Sequence, residues 1–150
     1  LHDIHWDIIV LVETWREETE EKLVVSAGHT FYGSGGCKRS CGVGFFVHER
    51  HSEHGLVAVS KRLAVLSIKI GKMQFQVLGV YMPDSTHPDL EVAVVYEQLA
   101  AQLRTYRRKK CNCIVAGDFN AQVGGQDEFD DPSIIGPNGF GNRNPRREWF

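Results

Sequence analysis

Asp118 and Asn120 stand one residue apart in CNCIVAGDFNAQVGG (residues 111–125), after the apolar run Ile114-Val115-Ala116 and between Gly117 and Gly124. A carboxylate and a carboxamide at i and i+2 of an extended chain project to the same side. They can therefore act on one small target just past a strand end. The carboxylate can take a proton from water, and the amide can donate to an anionic oxygen. Asp and Asn are also ordinary turn residues, and that alone would account for the pair. Two other strand-like runs end the same way: VLVETW (10–15) delivers Glu13, and LGVYMP (78–83) delivers Tyr81. Side chains at strand ends of layered sheets converge on a common rim, where sites are commonly built. Two carboxylates, a phenol and an amide are hard-oxygen ligands and hydrogen-bonding groups, suited to Mg2+ and a phosphate rather than to a soft metal.

The elements that must position these groups follow from periodicity. DIIVLVE (7–13) is a continuous apolar run, the pattern of a strand buried on both faces. GVGFFVHE (42–49) and LAVLSIKI (63–70) read as strands, and Gly71-Lys72 joins the second to MQFQVLGVYM (73–82) as a hairpin that Pro83 ends. Thr86 with Asp89 fits a capping box, and Val92, Val95, Leu99, Leu103 and Tyr106 follow at helical spacing. CNCIVAG (111–117) returns as a strand, and from Gly124 to residue 144 the chain is a long surface loop rich in Gly, Pro, Asn and Asp. The order strand, strands, hairpin, helix, strand, loop predicts mixed sheets with helices packed outside, an α/β or α+β layered fold in one domain over residues 1–150. A hairpin beside a helical crossover excludes a purely parallel sheet.

Bulk properties exclude several classes. Hydrophobic content of 42%, charged content of 24% and a net charge of -2 are those of an ordinary globular chain, with no global signature of a polyanion partner. No apolar stretch has the roughly 20 residues of a membrane span. The start LHDIHWDIIVLVETW has no basic leader or cleavage site and reads as a chain beginning mid-fold, in an intracellular protein, nuclear or cytoplasmic. Cys37 with Cys41, and Cys111 with Cys113 on the last strand, lack the usual zinc spacings and read as reduced thiols. The basic tract RTYRRKK (104–110) closes the helix, where cations complement the dipole. His48, His51 and His54 in HERHSEH fall in a loop between strands and read poorly as a metal site.

VETW (12–15), GVGF (42–45), GVYMP (79–83) and GDFNAQVG (117–124), in this order and at these separations, resemble the endonuclease/exonuclease/phosphatase superfamily, the group of exonuclease III and DNase I. KRSCGVGFFV after a YGSGG loop, SKRLAVLSIKIGKMQFQVLGVYMP (60–83), and GPNGFGNRNPR (136–146) are similar to one branch. That branch is the apurinic-type endonuclease domain of RTE/BovB-like retrotransposons lacking long terminal repeats, with its domesticated, craniofacial development protein 2-like relatives. The resemblance implies a four-layer α/β sandwich and a Mg2+-dependent, or Mn2+-dependent, DNA-nicking phosphodiesterase, with DNA as partner and no small-molecule cofactor. It implies that Glu13 is the metal ligand and that Tyr81 hydrogen-bonds the scissile phosphate. It also implies that Asp118 orients or deprotonates the attacking water, and that Asn120 holds a phosphate oxygen and positions Asp118. Arg62 matches a recurrent arginine of the branch, as a structural residue or a DNA contact.

The family's pattern also includes an Asn that would lie before Leu1, and an Asp and a Ser-Asp-His motif that would lie after Phe150. In addition, NPRREWF (144–150) departs from the family's helix. The chain is accordingly read as part of the fold, weak or inactive by itself. Two alternatives stand beside the nicking enzyme: a phosphoesterase acting on a small molecule or lipid headgroup, and a catalytically dead remnant serving as an interaction module. Ala121-Gln122-Val123-Gly124 resembles the retroelement branch and not the small-molecule enzymes.

Overall fold

The alternation in residues 63–82 sets the plan of the molecule. In the computed structural model, which describes residues 5–25, 27–36, 40–51 and 54–146, this stretch forms β6 (Leu63–Ile70) and β7 (Met73–Tyr81), paired antiparallel from Ile70↔Met73 to Leu63↔Val80. Gly71 takes the positive φ, 62°, that suits a two-residue hairpin turn. The other strands are β1 (Ile8–Val12), β2 (Glu21–Val24), β3 (Thr30–Ser34), β4 (Val43–Val47), β5 (His54–Ser60) and β8 (Asn112–Asp118), with α1 (Asp89–Arg108) between β7 and β8.

Two four-stranded sheets result, with orders β1-β4-β3-β2 and β5-β6-β7-β8. The first is antiparallel throughout; the second is mixed, because the α1 crossover returns β8 parallel to β7. Alternation sends one side of β6 and β7 to each of two cores. Ala64, Leu66, Ile68 and Val77 meet Tyr32, Val43, Phe45 and Val47 between the sheets. Leu63, Val65, Leu78 and Val80 meet Val95 and Leu99 of α1 on the other side. This is an α+β fold of sheet, sheet and helix. Burying each Leu or Ile of these layers contributes roughly 1.5–3 kcal/mol.

Several expectations need correction. The run 7–13 is apolar enough to be buried on both faces, yet β1 is an edge strand with Leu11 exposed, as β8 is at the edge of the other sheet with Ile114 exposed. Composition signals apolar faces, whereas coverage depends on what packs against them, and the helix among the described residues lies on the second sheet. Only one helix forms there, not several, and only one sheet is mixed. Strand bounds shift as well: β4 starts at Val43 and ends at Val47, β7 stops at Tyr81, and Cys111 precedes β8. The capping box does not form: Pro88 is the N-cap without a side-chain cap bond, and Thr86 donates instead to Asp84 Oδ1, 2.8 Å from its N–H and 2.6 Å from its hydroxyl. The stripe itself holds, with Val92, Val95 and Leu99 buried and Leu103 and Tyr106 packed beside them. Strands β2, β3 and β5 carry no clear local pattern, and part of β3 lies in the stretch read as a YGSGG loop. Residues 37–39 and 147–150, hence Cys37 and most of NPRREWF, lie outside the described residues; Cys41, Cys111 and Cys113 are free thiols.

Gly117 lies just before the site, at the end of β8. It pairs with Val80 and has φ 148°, and a Cβ there would lie 1.9 Å from the Val80 carbonyl oxygen. Because that neighbour is backbone, it cannot step aside. Gly117→Ala is expected to cost more than about 2 kcal/mol, read as a lowered urea midpoint with an unchanged slope. An unchanged midpoint would show that β7 and β8 do not approach this closely.

Candidate active site at the strand ends

The parallel register places Tyr81 opposite Asp118 at the ends of β7 and β8. Paired residues of neighbouring strands share a face of the sheet, and β1 packs over β7 and β8 on that side. The chain leaves β1 at Glu13, whose backbone is left-handed with φ 55°. Glu adopts this region only at a cost of about 1–2 kcal/mol. The next two residues are tied down by Thr14 N–H to Gly42 O, 3.4 Å, and Trp15 N–H to Cys41 O, 3.1 Å. From there the Glu13 carboxylate accepts the Tyr81 hydroxyl proton through Oε1 at 2.8 Å.

Burial pushes the Tyr81 phenol up to about 12, and the hydrogen bond to Glu13 and its negative charge act in the same direction. Tyr81 is therefore a neutral donor whose one proton is engaged by Glu13 and not held out to a phosphate, the role the resemblance implies for it. Beneath it Arg62, buried at 6% exposure, has its guanidinium 5.1 Å from the phenol ring centroid. Arg62 Nη1 donates to Tyr81 O at 3.4 Å, and Nη2 lies 3.2 Å from His87 Nε2. His87 Nδ1 is in turn 2.9 Å from Asp84 Oδ1. Both His87 contacts are hydrogen bonds in the Nδ1–H tautomer. Of the two roles open to Arg62, these contacts supply the structural one.

Asn120 is fixed from several directions. Its backbone is left-handed, φ 49°, a region that Asn tolerates. Its N–H donates to Asp118 Oδ1 at 2.8 Å, and its side-chain Nδ2 donates to Met82 O at 2.7 Å. One amide hydrogen is thereby used and, among the described residues, one remains. Glu13, Tyr81, Asp118 and Asn120 thus lie at one end of the two sheets, linked by Glu13–Tyr81, the Tyr81↔Asp118 register and Asn120–Asp118. Beside Asp118 and Asn120 opens a polar cleft of about 310 Å3, lined also by Asp84, Ser85, Ala121, Gln122 and Asn144 but not by Glu13 or Tyr81.

Asp84, Gln122 and Asn144 did not stand out in the sequence. Asp84 follows Pro83 in YMPD, just past the strand end that delivers Tyr81, a carboxylate placed much as Glu13 and Asp118 are, so the same signal could have found it. Hydrogen bonds from Thr86, then His87, hold its carboxyl well below the usual carboxylate range. Asn144 lies within GPNGFGNRNPR, where only the resemblance marked it.

The basic tract is remote from this rim. It closes α1 and leads into the first residue of β8, whereas the rim is at the other end of that seven-residue strand, roughly 20 Å away. The histidines of HERHSEH do not converge. His48 packs against His29 with the rings tilted at 55° and their centroids 4.6 Å apart, His51 Nε2 is 2.7 Å from Asp7 Oδ1, and His54, the first residue of β5 rather than part of a loop, has Nδ1 2.9 Å from the Tyr32 hydroxyl. His29, His48 and Glu49 do bring three ligand atoms within 4.8 Å of one another. However, each Nδ1 already accepts a backbone N–H, from Glu49 at 3.0 Å and from Arg50 at 3.3 Å. A metal-bound imidazole instead usually donates from its second nitrogen. Among the described residues no helix is long and apolar enough to cross a membrane. Compared with protein-family models and with curated proteins, the chain matches none.

Proposed function

We propose that the chain carries the catalytic rim of a divalent-cation-dependent phosphodiesterase that nicks DNA, on a fold of the DNase I/exonuclease III type. The observation that carries this reading is the convergence of Glu13, Tyr81, Asp118 and Asn120 at one end of the paired sheets. The sheet-sheet-helix layering and the order of the motifs support it. The donor set fits Mg2+, which takes one or two carboxylates and keeps several waters. Glu13 would hold the ion, which when bound polarises a phosphoryl oxygen and neutralises the leaving oxygen.

The remaining chemistry belongs to the chain itself. Tyr81 holds the Glu13 carboxylate in one orientation through its hydroxyl. Asp118, with one oxygen anchored by the Asn120 N–H, takes a proton from the attacking water through the other. The second amide hydrogen of Asn120 donates to a non-bridging phosphate oxygen and stabilises the charge that grows there. Relaxation of supercoiled plasmid with Mg2+, run on the full-length protein, tests the reading, and nicking that Asp118→Asn suppresses is the expected result. Hydrolysis of a small phosphodiester or a phospholipid headgroup, with plasmid left intact, would assign the rim to another substrate.

A further inference from the structure

Residues 144–146 reach both walls of the polar cleft. On one wall, Asn144 Oδ1 accepts the Gln122 N–H at 3.0 Å, Nδ2 donates to Asn120 O at 3.2 Å, and the Asn144 N–H donates to Gln122 O at 3.2 Å. The side chain thus behaves as an added length of backbone, closing a bridge across 24 residues of sequence. On the other wall Arg146, buried at 7% exposure, gives Nη1 to Asp89 Oδ1 at 2.5 Å and Nη2 to Asp84 O at 3.0 Å and His87 O at 2.6 Å. Pro145 between them limits the play of the link.

Asn120 is where this matters. It is left-handed, and its N–H and side chain are committed to Asp118 and Met82. The Asn144 amide adds the third restraint, on the Asn120 carbonyl. Because Asn120 N–H in turn anchors one oxygen of Asp118, the aim of that carboxylate depends on a residue that lines the cleft from a different segment. We infer that Asn144 is a positioning residue: held at the cleft by its neighbour Arg146, it fixes Asn120 and through it the Asp118 carboxylate. The inference rests on the proposed role of Asp118.

Two substitutions separate positioning from mere support. Asn144→Ala deletes both side-chain bonds. Asn144→Asp keeps an acceptor for the Gln122 N–H but sets a carboxylate against the Asn120 carbonyl in place of a donor. Amide exchange and nicking are both measured on the full-length protein. Exchange at Gln122 is expected to quicken roughly 10-fold in Asn144→Ala, the factor of one ordinary hydrogen bond, and to stay slow in Asn144→Asp. Since a misplacement of about 1 Å costs on the order of 100-fold, kcat is expected to fall about 10-fold or more in both variants with KM unchanged. In the Asp118→Asn background, neither substitution should lower kcat further. Normal kcat in Asn144→Asp, or a full additional loss in the double variant, overturns the inference, as does unchanged Gln122 exchange in Asn144→Ala. A parent chain that never nicks would refute the proposed function instead, leaving the exchange measurement to decide whether the clamp exists. If Asn144→Ala fails to fold, Asn144→Asp carries the test alone.

Discussion

Asp118→Asn is expected to lower Mg2+-dependent plasmid nicking by about 100- to 10,000-fold, the range a positioned general base contributes, while leaving the fold intact. The substitution is close to isosteric, and its effect can be assigned because the geometry separates two jobs of one side chain. Oδ1 of Asp118 accepts the Asn120 N–H at 2.8 Å, and the carboxamide oxygen introduced by the substitution would still accept it, so the turn after β8 keeps its shape. What disappears is the charge and basicity of the carboxylate. The unfolding free energy from urea titration should therefore change by no more than the ~0.5 kcal/mol typical of surface changes, in contrast to Gly117→Ala, which breaks the strand approach. Nicking that stays within about 10-fold of the parent would remove Asp118 from the chemistry and leave it a turn residue, the role its type suggests first. Loss of activity together with a lowered midpoint would mean instead that the carboxylate's charge is structural.

How much of this could be read from residues alone varies with how local each cause is. Residues 63–82 were legible because both faces of β6 and β7 are covered, so the apolar pattern and the packing coincide. Strands β2 and β3 were not. Phe31 belongs where it is because it stands opposite Phe46, and Glu21 and Lys22 alternate with nothing nearby that marks a strand. In β5 the pairing is broken by an irregularity between Ala58 and Ser60, which blurs its alternation. The four rim residues were legible because each ends or follows an apolar run that is itself local. Arg146 could not be, since its partners lie 57 to 62 positions earlier. The failed capping box is a similar case: Thr86 and Asp89 have the right types at the right spacing, but Pro88 starts the helix, Asp84 takes Thr86, and Arg146 takes Asp89.

Glu13→Gln is expected to weaken divalent-cation binding about 10-fold or more, read by Mn2+-induced broadening of amide resonances around Tyr81 and Asp118 and by calorimetry with Mg2+. Gln keeps an oxygen to accept the Tyr81 hydroxyl but carries no charge, and Mg2+ sites are built on one or two carboxylates. Tyr81→Phe makes the opposite cut. It leaves the Glu13 charge and the ring that Arg62 faces at 5.1 Å, and removes only the hydroxyl that orients the carboxylate. Its effect on cation affinity should be smaller than that of Glu13→Gln, because a loosely held carboxylate still attracts a cation. The phenol's own titration does not complicate the comparison. With the phenol raised from 10.0 to about 12, the protonated form is the one the fold favours, so the Glu13–Tyr81 bond is fully present below pH 10.0 and is lost only as pH rises towards 12. Broadening by Mn2+ should therefore show no tyrosine-linked change across the neutral range in the parent or in Tyr81→Phe. Undiminished, equally tight binding by Glu13→Gln would place the cation elsewhere and would detach Glu13 from the rim chemistry.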